Sequence, residues 1–292
     1  MSIGAINNPT AFTVYSNYAD SVQELSYSMR RLSSGTKGVR DDAAGVAISE
    51  QMRSQIRGTG MARNNVENGL SMLQTADGWL QEISNILVRM SELSIEAGDA
   101  SMTGSDRTNI QTEFRQLQSQ LTDIGNRNAM YNGKNLFSTG FTASAGATIQ
   151  IGANAGQTMS LVLTDLRSAG STTMSTNAWN TVLGTTSIFL SAGTQASALE
   201  GADRSVTRVQ EAISFITSKR AAFGGQMSRL EQARSGLRTY EDNISAAESK
   251  IRDVDMARES SELAKQQIKS QVGNAMMAQA NQLPAGIVKL LS

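Results

Sequence analysis

Ser34 and Lys37 stand three residues apart, the spacing of a serine–lysine pair that forms acyl-enzymes. Here the pair lies in a Gly-rich loop without supporting motifs, and we read both as loop residues. Asp41-Asp42 offers two adjacent carboxylates, but no further ligand accompanies them. A negative charge at a helix N-terminus is the simpler role. Asn243-Ile244-Ser245 spells a glycosylation sequon, yet it falls inside an apolar heptad pattern. Arg30-Arg31 and Lys219-Arg220 are too short for a nucleic-acid patch, and no Gly-rich phosphate loop follows a strand. The chain has no His and no Cys, which excludes imidazole bases, thiol nucleophiles, disulfides and His/Cys metal sites. Lys plus Arg and Asp plus Glu balance at 26 each, so a nucleic-acid partner is not expected. No enzyme activity, metal or cofactor is expected.

The elements that remain are helices. Only two prolines and 5% aromatics occur in 292 residues, which suits long, thin helical packing. Ala11, Tyr15, Tyr18, Val22, Leu25, Met29 and Leu32 alternate spacings of four and three, as a coiled-coil seam does. A polar loop then runs to Arg40. A second helix starts at Asp41 or Asp42 and carries the stripe Val66, Leu70, Leu73, Ala76, Leu80, Ile83, Leu87 and Met90. It stops near Gly98, a residue suited to a left-handed cap. Ser105 caps a third helix through Ile110, Phe114, Leu117, Leu121 and Ile124. Most of the 14 methionines are read as fillers of core gaps.

Tyr131-Asn132-Gly133-Lys134 signals a turn. Composition then changes: between Ser138 and Ala198 only Asp165 and Arg167 are charged. Ile149-Gln150-Ile151 and Met159, Leu161 and Leu163 read as two short strands around a turn. Ser197-x-x-Glu200 is a capping box that opens one very long helix. Its stripe runs from Val206 to Val254, and Pro284 ends it, giving roughly 125 Å of helix.

The two ends form a pair. The first 29 residues hold two acids and no base, whereas Lys265, Lys269 and Lys289 face no acid beyond Leu263. Ile268, Val272, Met276, Leu283, Ile287, Leu290 and Leu291 load the C-terminal end with apolar surface. The same heptads fit an N–C helix pair within one chain and packing between copies. The apolar load favours packing between copies. No cleavable leader is visible, because the first basic residue is Arg30, and no apolar run is long enough to insert in a membrane.

Several segments together resemble bacterial flagellin. They are Arg31-Leu32-Ser33-Ser34-Gly35, Asp41-Asp42-Ala43-Ala44-Gly45-Val46-Ala47-Ile48-Ser49 and Leu87-Val88-Arg89-Met90-Ser91-Glu92-Leu93-Ser94-Ile95. Tyr131-Asn132-Gly133-Lys134, Ile149-Gln150-Ile151-Gly152-Ala153-Asn154-Ala155-Gly156 and Ala278-Gln279-Ala280-Asn281-Gln282 follow, with Pro284 and Leu290-Leu291. They keep the family's order along nearly the whole chain, with residues 138–198 matching only at Ile149 to Gly156. The link Thr36-Lys37-Gly38-Val39-Arg40 is two residues shorter than usual and lacks the family's Arg-Ile-Asn-Ser-Ala run.

The resemblance implies a mainly α fold: long antiparallel coiled-coil helices from both termini, with a small β-hairpin and loop outer segment. Residues 1–40 and 257–292 would form the inner coiled coil. Residues 41–137 and 199–256 would form a middle helical domain, and residues 138–198 a short variable outer segment. The implied function is a structural subunit of the flagellar filament, which serves swimming motility. A hook–filament junction protein is the alternative. An intracellular coiled-coil adaptor with paired ends stands further off, and an enzyme borne on the outer segment further still. Implied partners are other copies of the chain, an export chaperone, and hook-associated junction and cap proteins. The location would be extracellular, reached through the flagellar type III channel without leader cleavage. The self-assembly residues would be Tyr15, Tyr18, Val22, Leu25, Met29, Leu32, Ile268, Val272, Met276, Leu283, Ile287, Leu290 and Leu291. A Toll-like innate-immune receptor is a further implied partner, with Arg89, Leu93 and Glu113 as its contacts.

Overall fold

The computed structural model describes residues 9–137, 147–163 and 195–291. In chain order the helices are α1 (Pro9–Ser34), α2 (Ala43–Ala97) and α3 (Gly104–Asp123), then a single π turn at Ile124–Asn128. Four short strands follow: β1 (Met130–Tyr131), β2 (Lys134–Asn135), β3 (Ala147–Gln150) and β4 (Thr158–Leu161). The last helices are α4 (Gln195–Arg252) and α5 (Met256–Leu291). The chain divides into two compact units, Gln55–Glu241 and Met1–Ser54 with Asp242–Ser292. The fold is mainly α with small antiparallel strand pairs.

The unit Gln55–Glu241 holds the apolar core. Every member of the expected α2 stripe from Val66 to Met90 is buried. Ile110, Phe114 and Leu121 of α3 pack against it. On α4, Val209, Ile216, Phe223 and Leu230 recur every seven residues and are fully buried. Arg220 reaches Asp77 at 2.9 Å, and Arg63 reaches Glu241 at 3.0 Å. Those pairs fix α2 and α4 as antiparallel.

Local chemistry sets the element ends. Asn132 and Gly133 both take positive φ (50° and 73°), so a two-residue turn of type I′ joins β1 to β2 in register Tyr131↔Lys134. The β3–β4 hairpin pairs Ala147↔Leu161 through Gln150↔Thr158. It approaches α2 where Ile149 lies over Gly69. Thr103, not Ser105, caps α3: its hydroxyl accepts from Asp106 N–H while Asp106 accepts from Thr103 N–H. Gly98 does not take the left-handed conformation. Instead the buried Arg107 donates to the carbonyls of Ala97 and Asp99 at 3.2 and 2.9 Å, closing the C-terminal end of α2.

Three expectations for the last helices change. Helix α4 begins at Gln195, so Ser197 lies inside it and does not cap it. The single long helix is two, broken at Asp253, Val254 and Asp255. The break occurs because the backbone there pairs elsewhere: Lys37 N–H donates to Arg252 O at 2.7 Å and Val254 N–H to Gly35 O at 3.0 Å. Asp255 then restarts the helix, accepting from the N–H groups of Ala257 and Arg258. Finally, α5 continues through Pro284 to Leu291. Proline there removes one backbone donor without ending the helix. Most of the Ser/Thr-rich stretch 138–198 lies outside the described residues.

Candidate assembly surface

The unit Met1–Ser54 with Asp242–Ser292 is built around α1 lying antiparallel to α5. Arg31 near the end of α1 meets Glu259 near the start of α5 at 2.8 Å. Further along, the ring of Tyr18 packs on Gly273, where an added Cβ would come within 3.1 Å. An elongated groove between the two helices is lined by Val14, Tyr18, Glu24, Lys269, Val272 and Met276, among others.

Burial in this helix pair is incomplete. Among the described residues the most enclosed side chains are Ser28 of α1 and Gln266 and Ala280 of α5. Gln266 is satisfied by Glu262 at 2.7 Å, and Ser28 accepts from Arg31 at 3.3 Å. Tyr18, Leu25 and Leu32 are half-buried, but other large apolar side chains lie outside. Phe12, Tyr15, Val22 and Met29 are 39–76% exposed, and Ile268, Val272 and Met276 are 53–61% exposed. A soluble helix pair ordinarily covers more of its large apolar side chains than this.

The expected α1 seam therefore splits in two. Ala11, Tyr18, Leu25 and Leu32, joined by Val14, Ser21 and Ser28, are the less exposed row of α1. Tyr15, Val22 and Met29 fall on a second face, with Phe12 and Ala19, that α5 does not cover. Sequence reasoning chose the most apolar residue at each step and so merged two rows. Phe12 was missed, although its spacing from Tyr15 and Ala19 marked it. On α5, Ile268, Val272 and Met276 form the matching open row. The side chains of Leu283, Ile287, Leu290 and Leu291 lie outside the described residues.

Charge at the pair also differs from expectation. The ion pair joining the two helices among the described residues runs from Arg31 to Glu259, a base on α1 and an acid on α5. Arg31 also holds Asp41 at 2.8 Å, which ties the end of α1 to the loop before α2. Gly38 N–H donates to Asp41, while Asp42 caps α2 through Gly45 N–H. Tyr27 adds a second clasp, with Arg30 and Arg40 at 4.4 and 3.9 Å from its ring centre.

Burial pushes the Asp41 carboxyl up, but the Gly38 bond and Arg31 outweigh it and hold the group below its ordinary 3.8. A depressed carboxyl stabilises the fold fully above its unfolded value and loses that contribution as pH falls through the folded value. Asp41→Asn should therefore cost about 0.2–1 kcal/mol at neutral pH and nothing at pH well below 3.8. Thermal melts of assembled filaments of both proteins, in which α1 is ordered, check it across that range; a constant difference at all pH would contradict it.

The second predicted cluster sits on α2 and α3. Arg89 donates to Glu113 at 2.8 Å and to Glu92 at 3.1 Å, and all three are open to solvent. Leu93 is only 1% exposed and belongs to the core, so the structure brings Arg89 and Glu113 together at the surface and leaves Leu93 beneath it. Among the described residues no group of three His, Cys, Asp or Glu side chains could hold a metal. None of the described helices is long and apolar enough to cross a membrane.

A helical core with its own closed interior, joined to terminal helices that turn their apolar rows outward, defines a structural subunit of a self-associating class. The family models agree in detail: the bacterial flagellin N-terminal helical region matches residues 6–142 and the C-terminal helical region matches residues 206–291. The chain belongs to the bacterial flagellin family. It is 39% identical to a flagellin of Bacillus subtilis over 281 residues, covering 90% of this chain and 91% of that one. It is 36% identical to flagellin FlaB2 of Treponema pallidum, covering 90% and 91%. A flagellin of Halalkalibacterium halodurans is 35% identical and is matched over 98% of both chains. Among solved structures, a putative flagellar hook-associated protein from Vibrio parahaemolyticus shares the fold, with TM-score 0.57 and 12% identity, over 73% of this chain and 100% of that one.

Proposed function

We infer that this chain is the structural subunit of a bacterial flagellar filament and polymerises through its terminal helices. The observation that carries the reading is the uncovered apolar face of each terminal helix: Phe12, Val22, Ile268 and Val272 lie exposed, while Tyr18, Leu25 and Leu32 are half-buried. Such faces are stable in water only when something apolar covers them. Further copies of the same chain supply that cover, and zero formal charge removes long-range repulsion between them.

Residues 1–40 and 257–292 are assigned to the inner coiled coil of the filament, and residues 41–137 and 199–256 to the shell around it. Assembly proceeds by coupled folding. The terminal segments order as each subunit docks, because neither buries its open row alone. The subunit reaches the outside unfolded through the export channel, aided by a chaperone, and adds between junction and cap proteins. Purified subunit mixed with fragments of its own filaments should lengthen them under the electron microscope. Rings that never lengthen would favour the junction protein, and persistent monomer would remove both.

Arg89 and Glu113 support a second role, recognition by a Toll-like receptor. Both are solvent-exposed, and their ion pair gives a receptor a paired charge to engage. Leu93 would act by supporting the α2 surface from within, since it is buried. Monomer carrying Arg89→Ala should activate the receptor about tenfold or more weakly than the parent, as expected when a charged contact is cut. Equal activation would contradict the role.

A further inference from the structure

The methionines differ in environment, and Met61, Met130 and Met256 are exposed away from the two open rows. Met72, Met90 and Met159 are buried in the helical core. Met29 and Met276 are 50% and 53% exposed, each on the open apolar row of a terminal helix, in line with Val22 and Val272. A thioether is apolar and adaptable, so it suits an interface that must close around it. Its sulfoxide is polar and carries a strong acceptor oxygen, which packs poorly among apolar side chains.

We propose that Met29 and Met276 form an oxidant-sensitive site on the free subunit, and that their conversion to sulfoxides by peroxide blocks polymerisation. The inference rests on the reading that other copies cover these rows. Hydrogen peroxide passes one oxygen to each sulfur. The peroxide O–O bond breaks, an S–O bond forms, the sulfur loses two electrons, and water leaves. The new oxygens place strong acceptors in line with Val22 and Val272, which carry no side-chain donor, where the next subunit needs an apolar face to dock. A thiol-dependent sulfoxide reductase reverses the change. Once the rows are covered the sulfurs are shielded, so oxidation stops growth without dismantling what has formed.

The test treats purified subunit with hydrogen peroxide, locates sulfoxides by mass spectrometry and measures seeded elongation. Oxidation at both positions should slow elongation about tenfold or more. Whatever the M29L/M276L double variant's own rate of elongation, peroxide should leave that rate unchanged, because neither position then carries a sulfur. Reductase treatment of the oxidised parent should restore growth, an arm that needs no substitution. Preformed filaments should take up less oxygen at both positions than free subunit. Parent oxidised at both positions but elongating at the untreated rate would overturn the proposal. So would a double variant that peroxide still inhibits, or reduced parent that stays inactive. Untreated parent that never elongates seeds removes the filament reading, and this inference with it.

Discussion

Deleting residues 283–292 should abolish filament growth while leaving the unit Gln55–Glu241 intact. The removed segment carries Leu283, Ile287, Leu290 and Leu291. A buried aliphatic side chain of this size contributes roughly 1.5–3 kcal/mol. If half of that total survives the cost of ordering, about 3–6 kcal/mol is lost per docking event. The critical concentration then rises at least about a hundredfold, beyond what a filament preparation reaches. The closed core extends only to Leu230, with Leu237 against it, so its melting transition should not move. Sedimentation after seeding and a thermal melt check both halves. Parent-like filament yield from the truncated chain would contradict the role given to the C-terminal end.

Val22→Asp makes the same point at a single atom group. In the free subunit Val22 is already exposed, so the new carboxylate stays hydrated and stability changes by no more than about 0.5 kcal/mol. In the filament that carboxylate would be buried without a partner, which costs several kcal/mol. Elongation should fall about a hundredfold or more, whereas Val22→Leu should elongate like the parent. Normal growth of the Asp variant would mean that the α1 open row faces solvent even in the assembled state. Val209→Asp, by contrast, strikes the closed core and should unfold the subunit itself.

How much of this was legible in the sequence depends on what each residue packs against. The α2 stripe from Val66 to Met90 was readable because all of its members face one core, and helical spacing records one face well. The Asn132-Gly133 turn was readable because only a few residue types accept two positive φ angles. The α1 rows were not separable, since the face toward α5 is partly polar at Ser21 and Ser28 and the apolar residues divide between two faces. Burial of a Ser at a helix contact leaves no hydrophobic signal. The break at Asp253–Asp255 was hidden for another reason. Ile251 and Val254 continue the heptad through it, and the cause lies more than 200 residues away in the backbone of Gly35 and Lys37. Pairing set by tertiary structure overrides local propensity there. Leu93 was legible only in part. A motif gave it a place at a surface contact, but its position on the α2 core face puts it inside.

Hydrogen exchange followed by mass spectrometry, on dilute subunit and on filaments, tests the central mechanism most directly. Peptides from residues 66–90 should be protected in both states. Peptides from residues 9–34 and 256–291 should exchange freely in dilute subunit and become protected in the filament. Terminal peptides that resist exchange equally in the lone subunit and in the filament would contradict assembly by coupled folding.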